Sequence, residues 1–318
     1  MRILILGAGG EHRTEASIAR AAVALGHAAR VLDVAGWRRR AGSLSLTLLC
    51  WQGERFAPDF VLCTRHAIAA GNDVLRALCR DRDSAFWYFD AAAPLAPAVV
   101  QLARLTARVF ATYGYQVEAF HEVGVEAHFL PQGMDPELDT PAALAPPSYQ
   151  CDVSFIGSGH YPRRYEVLAA VAQVCRLQIR GPGWDTAPTA LPVVGGRVRA
   201  AEFARAVRGA AISLGIDALA EQRAERRGGT SNRLWRVLGM GGFFLGEYVP
   251  GIETLARPGE HAEWYRSTDE AIALVRRYLA DPDGRGRIAA AGRAHALAAH
   301  TYAHRLALLL ARQGYTST

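Results

Sequence analysis

"MRILILGAGGEHRTEASIARAAVALGH" (residues 1–27) starts as an apolar strand, Arg2–Leu6, passes through the glycine turn Gly7-Ala8-Gly9-Gly10, and continues as a helix over Thr14–Leu25. Ala16, Ile18, Ala19, Ala22 and Val23 mark the inner side of that helix, and Gly26 stops it as a glycine beyond the last turn does. Strand, glycine and helix in this order make the first step of a parallel α/β sheet. The same corner cradles the pyrophosphate in dinucleotide enzymes, and Gly7-x-Gly9 followed by Asp33 at the end of the next strand fits that reading in part. The third glycine of the fingerprint falls at the bulky His12, however. Gly9 and Gly10 are therefore expected to let the backbone approach a ligand, and Asp33 reads as a solvent-facing strand end.

The rhythm continues along the chain. Ala29–Val34, Asp59–Thr64, Ala85–Asp90, Arg108–Tyr113 and Ala127–Gly133 read as strands, with a crossover helix at Asn72–Cys79. A proline-rich stretch from Asp135 to Tyr149 holds few bulky apolar residues and reads as a linker. The pattern then restarts in "CDVSFIGSGH" (residues 151–160), an apolar strand running into a second glycine turn, with a helix over Arg163–Val174. Leu177–Trp184, Ala210–Ile216 and Gly242–Gly246 read as strands and Asn232–Met240 as a helix. An amphipathic helix capped by Ser267 or Thr268 precedes a mostly helical arm from Gly284 to Gln313. The expected fold class is α/β, two Rossmann-like doubly wound domains facing a central cleft. The expected division is 1–148, 149–298, and a C-terminal helix, 299–318, packing back on the first domain.

The composition fits this and excludes several classes. Of 318 residues, half are hydrophobic and 21% charged, the balance of a globular protein. No run approaches the roughly 18 apolar residues of a membrane helix, and the apolar start is too short for a signal peptide. A cytoplasmic place is expected, with peripheral association at the inner membrane surface as its variant. Five scattered cysteines without C-x-x-C spacing read as buried free thiols, and no Asp-x-Asp stands at a strand end, so no metal is expected. The net charge of +6 suits an anionic ligand. Nucleic acid is set aside, because the basic residues are dispersed and no nucleic-acid motif is present.

The second half carries the sharper anion signal. In "RAERRGGTSNRLWRVLGMGGFFLGEYVPGIETLARPGEH" (residues 223–261), Gly228-Gly229 is a flexible turn, Thr230 or Ser231 caps the following helix, and Arg233 sits in its first turn. Backbone N–H groups, hydroxyls and a guanidinium together form a credible diphosphate site. The short motif taken alone reads rather as an ordinary capped helix with a surface arginine.

At larger scale, "CDVSFIGSGHYPRRYEVL" (151–168), "IRGPGW" (179–184), "TSNRLWRVLGMGGFFLGEYVPGIETLARPGEH" (230–261) and "HTYAHR" (300–305) resemble the CgeB-type spore-maturation glycosyltransferases. These are relatives of the glycosyltransferases-group-1 family, with the GT-B fold. "WYFD" (87–90) and "VFATYGYQVEAFHEVGVEAHFLPQGMDPE" (109–137) look like the same family's N-terminal domain. The resemblance implies hexosyl transfer from a nucleotide-sugar donor (UDP-, GDP- or dTDP-linked), held by the second domain. The first domain would hold an acceptor, which is a glycan, lipid, protein or small molecule, and no further cofactor is implied. By motif, Gly157, Ser158 and Gly159 would line the cleft, Arg163 would approach the phosphates, and Gly181 and Trp184 would border the base. Ser231 and Arg233 would hold the diphosphate, and Glu247, Tyr248 and Gly251 would face the ribose and sugar. The Glu-x7-Glu pair of many retaining members of the wider superfamily is absent: Gly228 and Arg236 stand at the matching positions. Glu247 or Glu253 would have to serve in its place.

Glycosyl transfer needs a stabilised leaving group and, for inversion, a base on the acceptor hydroxyl. Helix dipole and arginine donors suit a metal-independent reaction. Asp90, at the end of "WYFD", is the first choice of base, with Glu11 and His12 behind it; Asp90 reads equally as a helix cap and His12 as a surface or capping residue. His300 and His304 read as structural, locking the last helix on the first domain. Two other readings stand beside this one. One is an NAD-dependent oxidoreductase using the first glycine corner, and the other a non-catalytic nucleotide-sugar or glycan-binding protein.

Overall fold

The computed structural model describes residues 1–90, 94–187, 190–217, 229, 231–312 and 314. It divides into two compact units, Met1–Gln132 with Tyr302–Thr318, and Gly133–Thr301. Each is built on one parallel sheet of six strands among the described residues.

In the first unit the chain runs β1 (Arg2–Gly7), α1 (Thr14–Ala24), β2 (Ala28–Asp33), α2 (Val34–Ala41), α3 (Ser45–Phe56), β3 (Phe60–Cys63), α4 (Asn72–Cys79), β4 (Asp83–Tyr88), α5 (Pro97–Leu105), β5 (Arg108–Ala111), α6 (Gly114–Glu122) and β6 (His128–Phe129). The strand order is β2-β1-β3-β4-β5-β6, and all its pairs are parallel. Side chains alternate across such a sheet, so both faces need cover. Leu4, Leu6, Val61, Phe86 and Tyr88 point to one core, and Ile3, Ile5, Phe60, Leu62 and Trp87 to the other.

The second unit runs β7 (Cys151–Ile156), α7 (Arg163–Ala172), β8 (Leu177–Arg180), β9 (Val193–Gly195), α8 (Ala200–Gly209), β10 (Ala210–Leu214), α9 (Arg233–Gly239), β11 (Phe244–Glu247), β12 (Glu263–Tyr265), α10 (Thr268–Ala280) and α11 (Pro282–Ala299). Its order, β12-β11-β10-β7-β8-β9, is the 3-2-1-4-5-6 arrangement of dinucleotide-binding sheets. The helical arm is broken after α11, and α12 (Tyr302–Leu310) returns to the first unit's sheet, where Tyr302, Leu306 and Leu309 complete the core around Ile3, Ile5 and Trp87. Arg305, fully buried, fixes it there by donating from Nε to the Pro131 carbonyl at 2.9 Å.

Three expectations meet a different arrangement. The division was expected at 148/149 and 298/299, whereas the units part at 132/133 and 301/302. The proline-rich segment is not a loose linker. Asp139 is buried and paired with Arg236 Nε at 2.9 Å, and the Met134 N–H donates to the His300 carbonyl. His300 itself stacks on Trp235 with ring centroids 4.0 Å apart, inside the second unit. All five cysteines are free. Among the described residues, no helix is long and apolar enough to cross a membrane.

Candidate active site

Ligands bind open α/β sheets at the carboxyl ends of the strands, where the winding direction switches. In the second unit that point lies between β7 and β10. β7 carries Phe155 into the turn Gly157-Ser158-Gly159, which the loop after β8 holds tightly. The Gly157 N–H donates to the Arg180 carbonyl and the Gly159 N–H to the Pro182 carbonyl, each at 2.9 Å. Gly181 has φ +146°, and a Cβ there would fall 1.9 Å from the Gly157 oxygen, so only glycine fits this approach. Trp184 is 7% exposed, meets Phe155 edge-on, and donates from Nε1 to the Gly157 carbonyl at 3.1 Å. It buttresses the turn from within the core.

Around this turn lie three arginines. The Arg233 guanidinium sits over Phe155, 5.0 Å from the ring centre, and its Nη2 would lie 2.9 Å from a Cβ on Gly157. Arg164, buried, stacks on Tyr161 and donates to the Ser158 carbonyl at 2.6 Å. Arg163 Nη2 pairs with Glu247 Oε1 at 2.5 Å, while the other oxygen of Glu247 accepts the Asp217 N–H at 3.0 Å. Tyr265, at the end of β12, is buried within reach of their charges. Burial pushes its phenol well above the usual range, against the opposing pull of Arg163, Arg233 and Arg164, and its hydroxyl donates to the Gly215 carbonyl at 3.0 Å. Three guanidinium groups thus share one sheet edge with the carboxylates of Glu247 and Asp217.

The remaining expected residues of this unit are placed as follows. α9 starts at Arg233 with Asn232 as its cap residue, and no side chain caps it. Ser231, exposed, accepts the Arg233 N–H through Oγ at the long distance of 3.4 Å. Thr230 and Gly228 lie outside the described residues. Tyr248 donates to Glu253 Oε1 at 3.3 Å and lies under the Arg266 guanidinium, and Gly251 has φ +88° at the start of a single helical turn. Arg236, at one position of the absent acidic pair, is committed to Asp139 and to the ring of Phe203. Arg164, Tyr265 and Asp217 were not anticipated. The Arg163-Arg164 doublet was a visible signal for the first, but only tertiary packing brings β12 and the end of β10 to the same edge.

The first unit's corner, at the switch between β1 and β3, has a different filling. The turn Gly7–Gly10 does not open directly into α1, because Glu11, His12 and Arg13 intervene. From the first turn of α1, Glu15 reaches back into the corner, its side chain 2% exposed. Its Oε1 accepts the Ala8 N–H at 3.0 Å, the Thr64 hydroxyl at 2.7 Å and His66 Nδ1 at 3.1 Å. Burial pushes the Glu15 carboxyl up, but the hydrogen bonds from His66, Ala8 and Thr64 outweigh it and hold it below its ordinary value. The place where a dinucleotide phosphate would be cradled therefore contains a carboxylate of the chain itself.

Asp33 caps α2, accepting the Gly36 N–H at 3.0 Å, and packs against Gly9. Asp90 Oδ2 is 2.5 Å from Arg65 Nε, so its charge is already paired. Glu11 and His12 are exposed in the turn.

The comparisons agree with this architecture. Residues 163–311 match the family model described as glycosyl transferase-like. No curated protein matches the chain. Among solved structures, Anabaena Alr3699/HepE in complex with UDP-glucose aligns with a TM-score of 0.70 at 12% identity, over 98% of this chain and 100% of that one. Sucrose-phosphate synthase (tll1590) from Thermosynechococcus elongatus gives 0.65 at 14% identity, over 98% of each chain. T4 phage BGT in complex with its UDP-glucose substrate gives 0.60 at 12% identity, again over 98% of each. The two parallel six-stranded α/β sheets of this chain have the GT-B fold.

Proposed function

We propose that the protein is a glycosyltransferase that moves a hexosyl group from a UDP-linked donor to a hydroxyl acceptor, as the CgeB-type resemblance of its motifs implies. The observation that carries this reading is the arginine-rich edge at Gly157. Arg233 and Arg163 meet the two phosphates there, and the leaving diphosphate is neutralised by guanidinium groups rather than by a metal ion. Arg163 reaches the phosphates from a fixed position because Glu247 holds it. Ser231 adds a hydroxyl, and Tyr248 and Gly251 border the sugar. The UDP-glucose and UDP in complexes of similarly folded proteins support a uridine donor. The acceptor belongs to the first unit, whose edge carries Asp90, Glu11 and His12.

The carboxylate in the Gly7–Gly10 corner counts against the nicotinamide alternative, since a bound pyrophosphate would meet Glu15 where it needs donors. Thermal unfolding with UDP-, GDP- and dTDP-glucose beside NAD and NADP tests the proposal. A ligand that binds only the folded state raises Tm with concentration, by about 2.7 kcal/mol of stability at 100 times Kd. UDP-glucose is expected to raise it most, with UDP released on incubation and no loss on adding a chelator. A shift with nicotinamide cofactors alone overturns the reading, and binding without UDP release turns it into a carrier or sensor of nucleotide sugars.

A further inference from the structure

The second unit contains a cavity of about 390 Å³ that the proposed donor site does not use. The ends of β8 and β9, the loop that leads into α8 and the short turn before β7 line it. Ser148 and Tyr149, in that turn, stand before the amino end of β7, the opposite end of the strand from Gly157. Arg180 closes β8, and alternation along the strand puts its side chain on the same face as that of Gln178. Both donate to the Ser148 carbonyl, Arg180 from Nη2 at 3.2 Å and Gln178 from Nε2 at 3.1 Å. The Arg180 guanidinium also lies over the Tyr149 ring, 4.3 Å from its centre. The residue is 7% exposed, and its Nη1 is buried without an acceptor among the described residues. Glu202, the acid on the cavity wall, turns Oε2 to the Arg199 N–H at 2.9 Å. Buried polar groups are nearly always partnered, and a buried cation calls for an anion. A guanidinium already fixed by a carbonyl and a ring has little freedom left to lose on receiving one.

We infer that this cavity binds a small organic anion, whose phosphate or carboxylate head pairs with Arg180 and whose short apolar body lies along Val194 and Val198. Both valines belong to the lining, and Arg197, exposed, adds a second guanidinium against the single carboxylate of Glu202. An apolar wall with one or two placed charges is the ordinary composition of a small-molecule site. The inference is independent of the transferase reading, since none of the residues proposed for the donor lines the cavity.

Calorimetry of the whole protein with phenyl phosphate, benzoate and inorganic phosphate, and with benzyl alcohol as the uncharged control, tests this. Phenyl phosphate or benzoate should bind at one site, the tighter of the two identifying the head group. Inorganic phosphate should bind more weakly than phenyl phosphate for want of a body, and benzyl alcohol should not bind. Truncating the desolvated partner of a charged ligand weakens binding by more than about tenfold, the loss expected in Arg180→Gln. Val194→Asp puts a carboxylate on the wall at a half-exposed position and should weaken binding comparably with the fold intact. It decides the matter if Arg180→Gln does not fold. Saturating UDP and the Arg233→Ala substitution should each leave the affinity for the aromatic anions within about twofold of wild type. Failure of both aromatic anions to bind at millimolar concentration overturns the inference, as does equal binding of benzyl alcohol or full affinity in Arg180→Gln and Val194→Asp. Displacement by UDP overturns it too, by assigning the anion to the Gly157 edge. Probe binding in a protein that ignores UDP-glucose overturns the transferase reading alone.

Discussion

The two glycine corners of this protein start from the same sequence pattern and end with opposite electrostatics. At Gly7–Gly10 a helix residue turns its carboxylate inward, and that carboxylate collects a backbone N–H, a hydroxyl and an imidazole. At Gly157–Gly159 the N–H groups of both glycines are spent on the end of β8 and the loop after it, and the charged groups nearby are mostly guanidinium. A strand–glycine–helix corner therefore does not specify an anion site by itself. The side chain entering from the following helix decides. Glu15 in α1 fills the first corner with a carboxylate, and Arg163 and Arg164 in α7 bring guanidinium groups to the second. Topology separates them as well, since the first sheet switches direction between β1 and β3 and the second between β7 and β10.

The largest expected effect tests the phosphate side of this contrast. Removing a desolvated partner of a charged ligand costs roughly 2–5 kcal/mol, and about 1.4 kcal/mol is already tenfold in affinity. Arg233→Ala should therefore weaken UDP binding by more than about tenfold by calorimetry, whereas Glu15→Gln should leave it nearly unchanged. If the two variants bind UDP equally well and both stay folded, the corners are not divided as described.

A second, smaller effect sharpens the other side. Glu15 is held below its ordinary value of 4.5 by its hydrogen bonds, in spite of burial. A carboxyl whose folded pKa is depressed contributes stability that is fully present above the unfolded value and lost as pH falls through the folded one. The stability difference between wild type and Glu15→Gln, from urea unfolding, should shrink as pH falls below about 4.5. Carboxylates that do not touch this corner titrate alike in both proteins and drop out of the difference. A difference that stays flat into the acid range means that the carboxylate is not ionised against His66 and Thr64.

Much of the architecture was legible in the sequence because hydrophobic periodicity is local. The β1, β7 and β10 strands, the glycine turns, and α1, α7 and α10 all stand close to where their patterns put them. The helices Val34–Ala41, Ser45–Phe56 and Ala200–Gly209 were not read from the sequence. The site was legible in part. Gly157, Arg163, Arg233 and Glu247 do gather at one edge, each announced by its motif. Glu15 and His66 could not be paired from the sequence, being 51 residues apart and joined only by the crossover from β1 to β3. The proline-rich stretch misled for a similar reason. Its anchors, Asp139 on Arg236 and Met134 on His300, are long-range contacts that composition does not record.

Ser231 provides the smallest test. The sequence suggests a cap for the helix that carries Arg233, and a lost cap typically costs about 1 kcal/mol. In the structure the cap position belongs to Asn232, and the serine hydroxyl accepts the Arg233 N–H at 3.4 Å, the long end of hydrogen-bond geometry. Stability should thus change little in Ser231→Ala, within the ±0.5 kcal/mol or so of an ordinary surface substitution. What remains is a direct hydroxyl contact with the diphosphate, a hydrogen bond to a charged group worth about 1.5–3 kcal/mol if well formed and less on an exposed turn. UDP affinity should therefore fall by a few-fold, well short of the Arg233→Ala effect, with Tm of the free protein unmoved. A loss of stability without a loss of affinity would return Ser231 to a structural role and leave the diphosphate to Arg233 and Arg163.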